Sequence, residues 1–278
     1  MPLQSELLKS LFSLSMIVEA RDPYTGGHLW RVSQFSRLLA QAAGLSPRTS
    51  ALAELGGFLH DLGKVGVPDA ILNKPGRLDE DEFEVIRTHP TVGQRLLNPH
   101  PLSHLAMEAV AGHHEMPNGR GYPRGLNGDA IPEVARIVGI ADAFDAMTST
   151  RPYRVGMPIA KAMAIIIDNL GTQFDADLGR LFVGLTTDVQ LEHIVGHSEP
   201  GIPLLKCGCG VPVVLTRSHR SGDCVVCRHC RGQARVVGKN GSYEVEKMAE
   251  RADAEAVAPT ADNELIGAMV EATAPHIL

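Results

Sequence analysis

Apolar residues return every three or four positions through most of the first 185 residues. In "HLWRVSQFSRLLAQAAGL", Val32, Phe35, Leu38 and Leu39 fall on one helical face, and Gly44 supplies a stop just past the end. "LSHLAMEAVAGHH", "PEVARIVGIADAFDAM" and "IAKAMAIIIDNLG" share that texture, and no alternating strand pattern appears among them. Two stretches rich in turn formers, "GVPDAILNKPGRLD" and "EMPNGRGYPRGLNGDAIP", interrupt the helices. Loops of that length inside a compact domain tend to carry function. Past residue 200 the pattern changes to short β-branched runs, "VPVVL", "CVV" and "ARVVG", which suit a small ribbon. From Lys247 the chain turns Ala- and Glu-rich. The pattern predicts a mainly α fold: a helical bundle over 1–198, a β ribbon over 199–246, and a flexible or weakly helical tail over 247–278.

Composition narrows the classes of function. With 44% hydrophobic residues in 278, the chain can bury a core. A formal charge of -6 and few aromatic residues argue against a nucleic-acid partner, which normally meets a basic face. No stretch approaches the roughly 20 apolar residues of a membrane span, and "MPLQSELLKS" lacks the features of a secretory signal. The expected setting is cytoplasmic, with no membrane partner.

All five cysteines lie between 207 and 230. Cys207 with Cys209 and Cys227 with Cys230 form two thiolate pairs at turn spacing, suited to one structural zinc that staples a ribbon too small to hold itself. Cys224 is the surplus, and Cys224 with Cys227 is the rival turn. Closed thiolate coordination leaves no catalytic position, so stabilisation stands beside docking or regulation as the ribbon's role.

The segment "HDLGKVGVPD" places His60 and Asp61 side by side, about 100° apart on any helix, so they cannot share one buried face. His28 in "YTGGH", His89 in "THP", His113 and His114 in "GHHE", and Asp142 in "GIADAFDAM" also stand at predicted helix ends or beside loops. A single such histidine is most often a cap or a surface residue. The pairs His60–Asp61 and His113–His114 change that, because each offers two ligands within one turn. Helices meeting at their ends would bring them into one pocket. Histidine and carboxylate donors without thiolate suit manganese, iron or zinc. Asp145 lies three residues after Asp142, and spacing alone admits either as a ligand.

The ordered set "DPYTGGHLWRV", "HDLGKVGVPD", "NKPGRL", "HP", "HHE", "GYPRGLNG", "IPEVARIVGIADAFDAMTSTRPYR" and "GTQFD", spanning about residues 14 to 185, resembles the HD-GYP family of the HD phosphohydrolase superfamily. The resemblance implies an HD-domain helical bundle with a bimetal centre that hydrolyses cyclic di-GMP to linear pGpG, with GMP open as a further product. It implies metal ligation by His28, His60, Asp61, His89, His113, His114 and Asp142, with Asp61 as bridge and catalytic residue and iron or manganese favoured as the two ions. Lys64 would act on the substrate phosphate, and Arg151 and Arg154 would bind phosphates. Members with a third ion tend to carry a glutamate four residues before the first histidine. Tyr24 stands there, a poor ligand at neutral pH, and Glu19 is nine residues away, so two catalytic ions are expected.

Gly121, Tyr122 and Pro123 match the segment associated in the family with GGDEF-type cyclase domains. Pro117 and Asn118 depart from its usual "HHERWDGSGYP", which bears on partner contacts more than on catalysis. The alternatives are an inactive cyclic di-GMP receptor or scaffold, and an HD hydrolase acting on another cyclic dinucleotide or a nucleotide. A homodimer is left open. Every candidate catalytic residue precedes residue 155, so a chain lacking residues 200–278 is expected to remain a folded, metal-bound hydrolase.

Overall fold

A computed structural model describes residues 2–21, 26–74, 76–150, 155–239, 242–253, 255–258 and 261–278. Among them the helices are α1 (Pro2–Glu19), α2 (His28–Ala42), α3 (Pro47–Leu59), α4 (Asp69–Leu72), α5 (Glu80–Arg87), α6 (His89–Leu97), α7 (Met107–Gly112), α8 (Glu133–Thr148), α9 (Ile159–Asp168), α10 (Ala176–Gly184), α11 (Val189–Ile194) and α12 (Asn263–Ile277). Between α11 and α12 lie three small antiparallel sheets. They pair β1 (His197–Glu199) with β2 (Ile202–Pro203), pair β3 (Leu205–Lys206) with β4 (Pro212–Val213), and order β5 (Cys224–Val226), β6 (Gly232–Lys239) and β7 (Ser242–Arg251) as β5-β6-β7. This is the mainly α bundle followed by a small β ribbon that the pattern predicts.

Local chemistry sets where helices begin. Ser46 caps α3 by accepting from the Thr49 amide at 3.1 Å, with Pro47 in the first turn. Asp79 and Glu82 close a capping box on α5. α2, α3 and α8 pack on one another as the centre of the bundle. Val32, Phe35, Leu38 and Leu39 are all buried there, and Gly44 takes a left-handed φ of 70° at the stop after α2. Phe35 meets Phe144 edge to face with centroids 5.0 Å apart, and Phe12 meets Phe58 likewise at 5.0 Å.

The chain after Lys247, expected as a flexible or weakly helical tail, ends in a helix that is packed into the bundle. β7 continues to Arg251, and Asp262 then caps α12 by accepting from the Leu265 amide at 2.9 Å. α12 packs on α1 and α3, burying Leu265, Ile266, Met269 and Ile277 in the main core. Arg48 Nη1 also donates to the Ile277 carbonyl at 3.0 Å. These apolar residues recur at helical spacing, a pattern that the surrounding Ala- and Glu-rich composition obscures. The ribbon is therefore an insertion before the bundle's last helix, with a separate small core of Ile202, Val211, Val213, Leu215, Val225, Cys227 and Val236. Removing residues 200–278 strips a helix from the bundle, so the truncated chain is not expected to fold as first read. Ile266→Ala should lower the unfolding free energy by about 2 to 5 kcal/mol in urea titration. An unchanged midpoint would contradict this packing.

Glu199 of β1 sits where bundle, ribbon and α12 meet. It is 1% exposed and lies 2.8 Å from Arg217 Nε. Burial, with the charge and hydrogen bond of Asp262, raises its pKa from 4.5 to about 7. The folded chain thus holds a proton that the unfolded chain releases above about pH 4.5. The linked stability is complete below that value and is lost as pH rises through 7. The melting temperature of the native chain, minus that of Glu199→Gln, should fall between about pH 5 and pH 8. A difference independent of pH would show that Glu199 does not titrate there.

Candidate metal centre

The histidines and aspartates arrive mostly from helix ends. His28 opens α2, His60 and Asp61 follow α3, His89 opens α6, and His113 and His114 follow α7, while Asp142 reaches in from the middle of α8. The glycine of "HDLGK" makes this convergence sterically feasible. A Cβ on Gly63 would overlap the His89 carbonyl and the Gly93 amide, so only glycine lets the turn after Asp61 lie against the start of α6.

The Nδ1 atoms of four imidazoles point outward to acceptors. His60 Nδ1 donates to the Gly57 carbonyl at 2.7 Å, His89 Nδ1 to that of Ile86 at 2.7 Å, and His113 Nδ1 to that of Ala109 at 3.0 Å. His28 Nδ1 donates to Asp145 Oδ2 at 2.7 Å. These bonds select the tautomers and turn the Nε2 lone pairs inward. His89 Nε2 and His113 Nε2 then face each other at 3.1 Å with no hydrogen between them. His60 Nε2 is buried without a hydrogen-bond partner, its nearest carboxylate oxygens being Asp61 Oδ2 at 3.3 Å and Asp142 Oδ1 at 3.7 Å.

Burial lowers the pKa of His89 to about 4 and of His114 to about 3, and holds His113 well below the usual value. Burial opposes charge on His28 too, yet hydrogen bonds to Asp145 and Asp61 raise it to about 9. Burial works against the Asp61 carboxylate, but His60 and Lys64 outweigh it and hold the group ionised. His60 and His28 do the same for Asp142. Neutral His89, His113 and His114 beside ionised carboxylates are in the protonation states that metal ligands require, whereas His28 has to give up a proton to bind an ion.

Two donor sets, His28 with His60 and Asp142, and His89 with His113 and His114, are linked by a third group of His60, Asp61 and His113, the ligand atoms within each group lying within 4.8 Å of one another. Asp61 faces both. Its Oδ2 is 3.5 Å from His28 Nε2, and its Oδ1 is 3.5 Å from His89 Nε2. Lys64 Nζ lies 2.6 Å from Asp61 Oδ2. Beside His113, His114 and Asp142 opens a cavity of about 310 Å³ that also reaches Arg136, Met147 and Gln173. Tyr24, Arg151 and Arg154 lie outside the described residues.

Asp145, the rival to Asp142, stands behind His28 and is bound by Arg31 through Nε at 2.5 Å and Nη2 at 3.0 Å. Arg31 was not singled out by the sequence reading, although its position three residues after His28 puts both on one helical face. Glu19 accepts from the Leu29 amide at 3.2 Å and borders a small cavity with His28, Asp61 and Lys64, so it is much closer to the centre than its sequence distance suggests. Glu115 accepts from the amides of Arg124 and Leu126, each at 2.8 Å, and so shapes the "GYP" loop. A Cβ on Gly121 would overlap the backbone of residues 114–116. The Tyr122 ring stacks on His114 with centroids 4.7 Å apart. Pro117 and Asn118 lie outside the donor sets.

In the ribbon the thiols of Cys207, Cys209, Cys227 and Cys230 gather within 4.8 Å, and Cys224 lies outside the group, exposed. Burial pushes the Cys227 thiol up to about 12. Burial also disfavours the Cys230 thiolate, but the Gly232 amide and the neighbouring thiols bring that group down to about 7. Four such groups suit one closed tetrahedral ion.

An α bundle with a buried histidine and aspartate cluster defines the class. The HD domain family model matches residues 13–178, and the chain belongs to that family. It is 42% identical over 179 residues to the 3'3'-cGAMP-specific phosphodiesterase 3 of Vibrio cholerae, covering 64% of this chain and 39% of that protein. It is 40% identical over 201 residues to the cyclic di-GMP phosphodiesterase response regulator RpfG of Xanthomonas campestris, covering 70% of this chain and 53% of that one. The crystal structure of a cyclic GMP-AMP specific phosphodiesterase of V. cholerae superposes with a TM-score of 0.51 at 20% identity, over 67% of this chain and 50% of that one, which shows a shared fold. The chain thus spans about half, or less, of the length of these relatives.

Asp145→Asn removes the carboxylate that orients His28 and should weaken divalent-metal binding about 10- to 100-fold. Manganese titration followed by electron paramagnetic resonance reads this directly. Native affinity would mean that His28 is positioned without Asp145.

Proposed function

We propose that the chain is a metal-dependent phosphodiesterase that opens cyclic di-GMP to linear pGpG, with GMP a product only if the linear form stays bound for a second cleavage. The observation that carries this reading is the pair of buried donor sets joined by Asp61 beside an open cavity. A second reading, hydrolysis of 3'3'-cGAMP, is favoured by the name of the Vibrio relative. An inactive receptor or scaffold is disfavoured because all seven candidate ligands are present and their lone pairs converge.

His28, His60 and Asp142 would hold one ion, His89, His113 and His114 the other, and Asp61 both. Iron or manganese suits such nitrogen and oxygen donors. Two divalent cations supply charge neutralisation and an activated water for attack on a phosphodiester. Asp61 holds the two donor sets in register, and its ionised form carries the charge that a cation pair needs. Lys64 brings a cation to the same carboxylate and would stabilise negative charge on the phosphoryl oxygens. Arg151 and Arg154 are assigned phosphate binding by the family motif. Two ions are proposed in place of three because Tyr24 occupies the glutamate position. The thiols of Cys207, Cys209, Cys227 and Cys230 would hold one zinc.

Contact with GGDEF-type domains through Gly121, Tyr122 and Pro123 rests on the family motif; Gly121 packs against backbone and Tyr122 against His114, while Pro123 is exposed. No helix among the described residues is long and apolar enough to cross a membrane.

The test is turnover of cyclic di-GMP and 3'3'-cGAMP by the manganese- or iron-loaded chain, with linear and mononucleotide products resolved. Asp61→Ala should lose both turnover and metal, whereas Lys64→Ala should keep its metal and lose about 10²-fold or more in rate. Full activity of Asp61→Ala would overturn the proposed centre.

A further inference from the structure

The ribbon meets the bundle at the two residues that precede His28. A Cβ on Gly26 would overlap Cγ2 of Val214, the residue after β4. A Cβ on Gly27, whose φ is 72°, would lie 2.7 Å from Cα of Ser198 in β1. Gly27 occupies the N-cap of α2 and offers no side-chain cap, so the start of that helix takes its position from what surrounds it. Arg31, 2% exposed, ties the same parts together. Its Nη1 donates to the carbonyls of Gly26 and His197, both at 3.0 Å, while its other nitrogens hold Asp145 behind the His28 ring. α8 thus holds the His28 ring through Asp145, while β1 and the segment after β4 pack against the two glycines that precede it.

That segment belongs to the thiol cluster's own packed body. Val213 and Leu215 flank Val214, and both are buried in one small core with Cys227. A core of that size does not hold a fold without a staple, so the placement of Val214 depends on the four cysteines.

We propose that the cysteine ribbon is a positioning element of the histidine and aspartate centre. An ion of the zinc class on Cys207, Cys209, Cys227 and Cys230 fixes the Val213–Leu215 segment, and that segment with Ser198 fixes Gly26, Gly27 and the His28 ring. The inference rests on the reading of His28 as a metal ligand. It assigns the ribbon work at the centre, in place of the independent stabilising or docking module that the sequence suggests.

A steric rescue tests it on the full chain. Gly26 has no left-handed φ, so alanine fits its backbone, and among the described residues Gly26→Ala collides with Val214 Cγ2 alone. The Val214 Cβ lies 3.7 Å from the added Cβ, an ordinary contact, so Val214→Ala should relieve the collision. Manganese binding read by electron paramagnetic resonance should weaken about 10- to 100-fold at one of two sites in Gly26→Ala, weaken less in Val214→Ala, which loses the contact without a collision, and recover to the Val214→Ala level in the double variant. Cys230→Ser, confirmed as folded by circular dichroism, should weaken the same site. Native binding in Gly26→Ala, failure of the double variant to recover, or native binding in folded Cys230→Ser would each overturn the coupling. His28→Ala separates the two layers. If it binds manganese as the native chain does, the ligand assignment itself fails. If it is deficient while Gly26→Ala is native, only the coupling fails.

Discussion

The structure turns on where four buried imidazoles direct the Nδ1–H. Three give it to carbonyls of the turn that carries them and one gives it to Asp145, which leaves the Nε2 acceptors facing one another in a space that holds few donors. A buried acceptor without a donor costs about 1 to 3 kcal/mol, and two lone pairs at 3.1 Å add repulsion. Such an arrangement is unfavourable for a protein alone and favourable around a cation. The ionised carboxylates of Asp61 and Asp142 supply the matching charge.

The fold serves that convergence. Ligands placed at helix termini can approach from several helices at once, and the missing side chain of Gly63 brings two of those termini into backbone contact. Asp142 is the exception, coming from mid-helix, and it therefore sets the centre against α8, the helix on which α2 and α3 also pack. The same helix supplies Asp145, so one element places both a candidate ligand and the group that orients another. α12 closes the bundle from the far end of the chain, which makes the ribbon an insertion and holds it beside the start of α2.

Much of this was legible in the sequence because helical periodicity and paired ligands are local signals. Val32, Phe35, Leu38 and Leu39 needed only their spacing, and "HD" and "HH" announced ligands within a turn. The candidate ligands come together as two sets linked by a third group of His60, Asp61 and His113, a division that no spacing along the chain contains. What escaped was of longer range. Arg31 acts through Asp145, 114 residues away. Glu19 approaches His28 because α1 folds back toward α2, and α12 hides an apolar face in Ala- and Glu-rich sequence. Gly26 and Gly27 carry no local signal of their own and prove to be places where another part of the chain comes close.

The central claim is that the inward lone pairs surround two cations. Anomalous diffraction from metal-loaded crystals, recorded on either side of the manganese and zinc edges, tests it most directly. The account predicts two manganese peaks in the bundle, one bonded by His28, His60 and Asp142 and the other by His89, His113 and His114, with Asp61 between them and a zinc peak confined to the four cysteines. Density free of metal, with His89 and His113 joined by a proton in place of an ion, would contradict it.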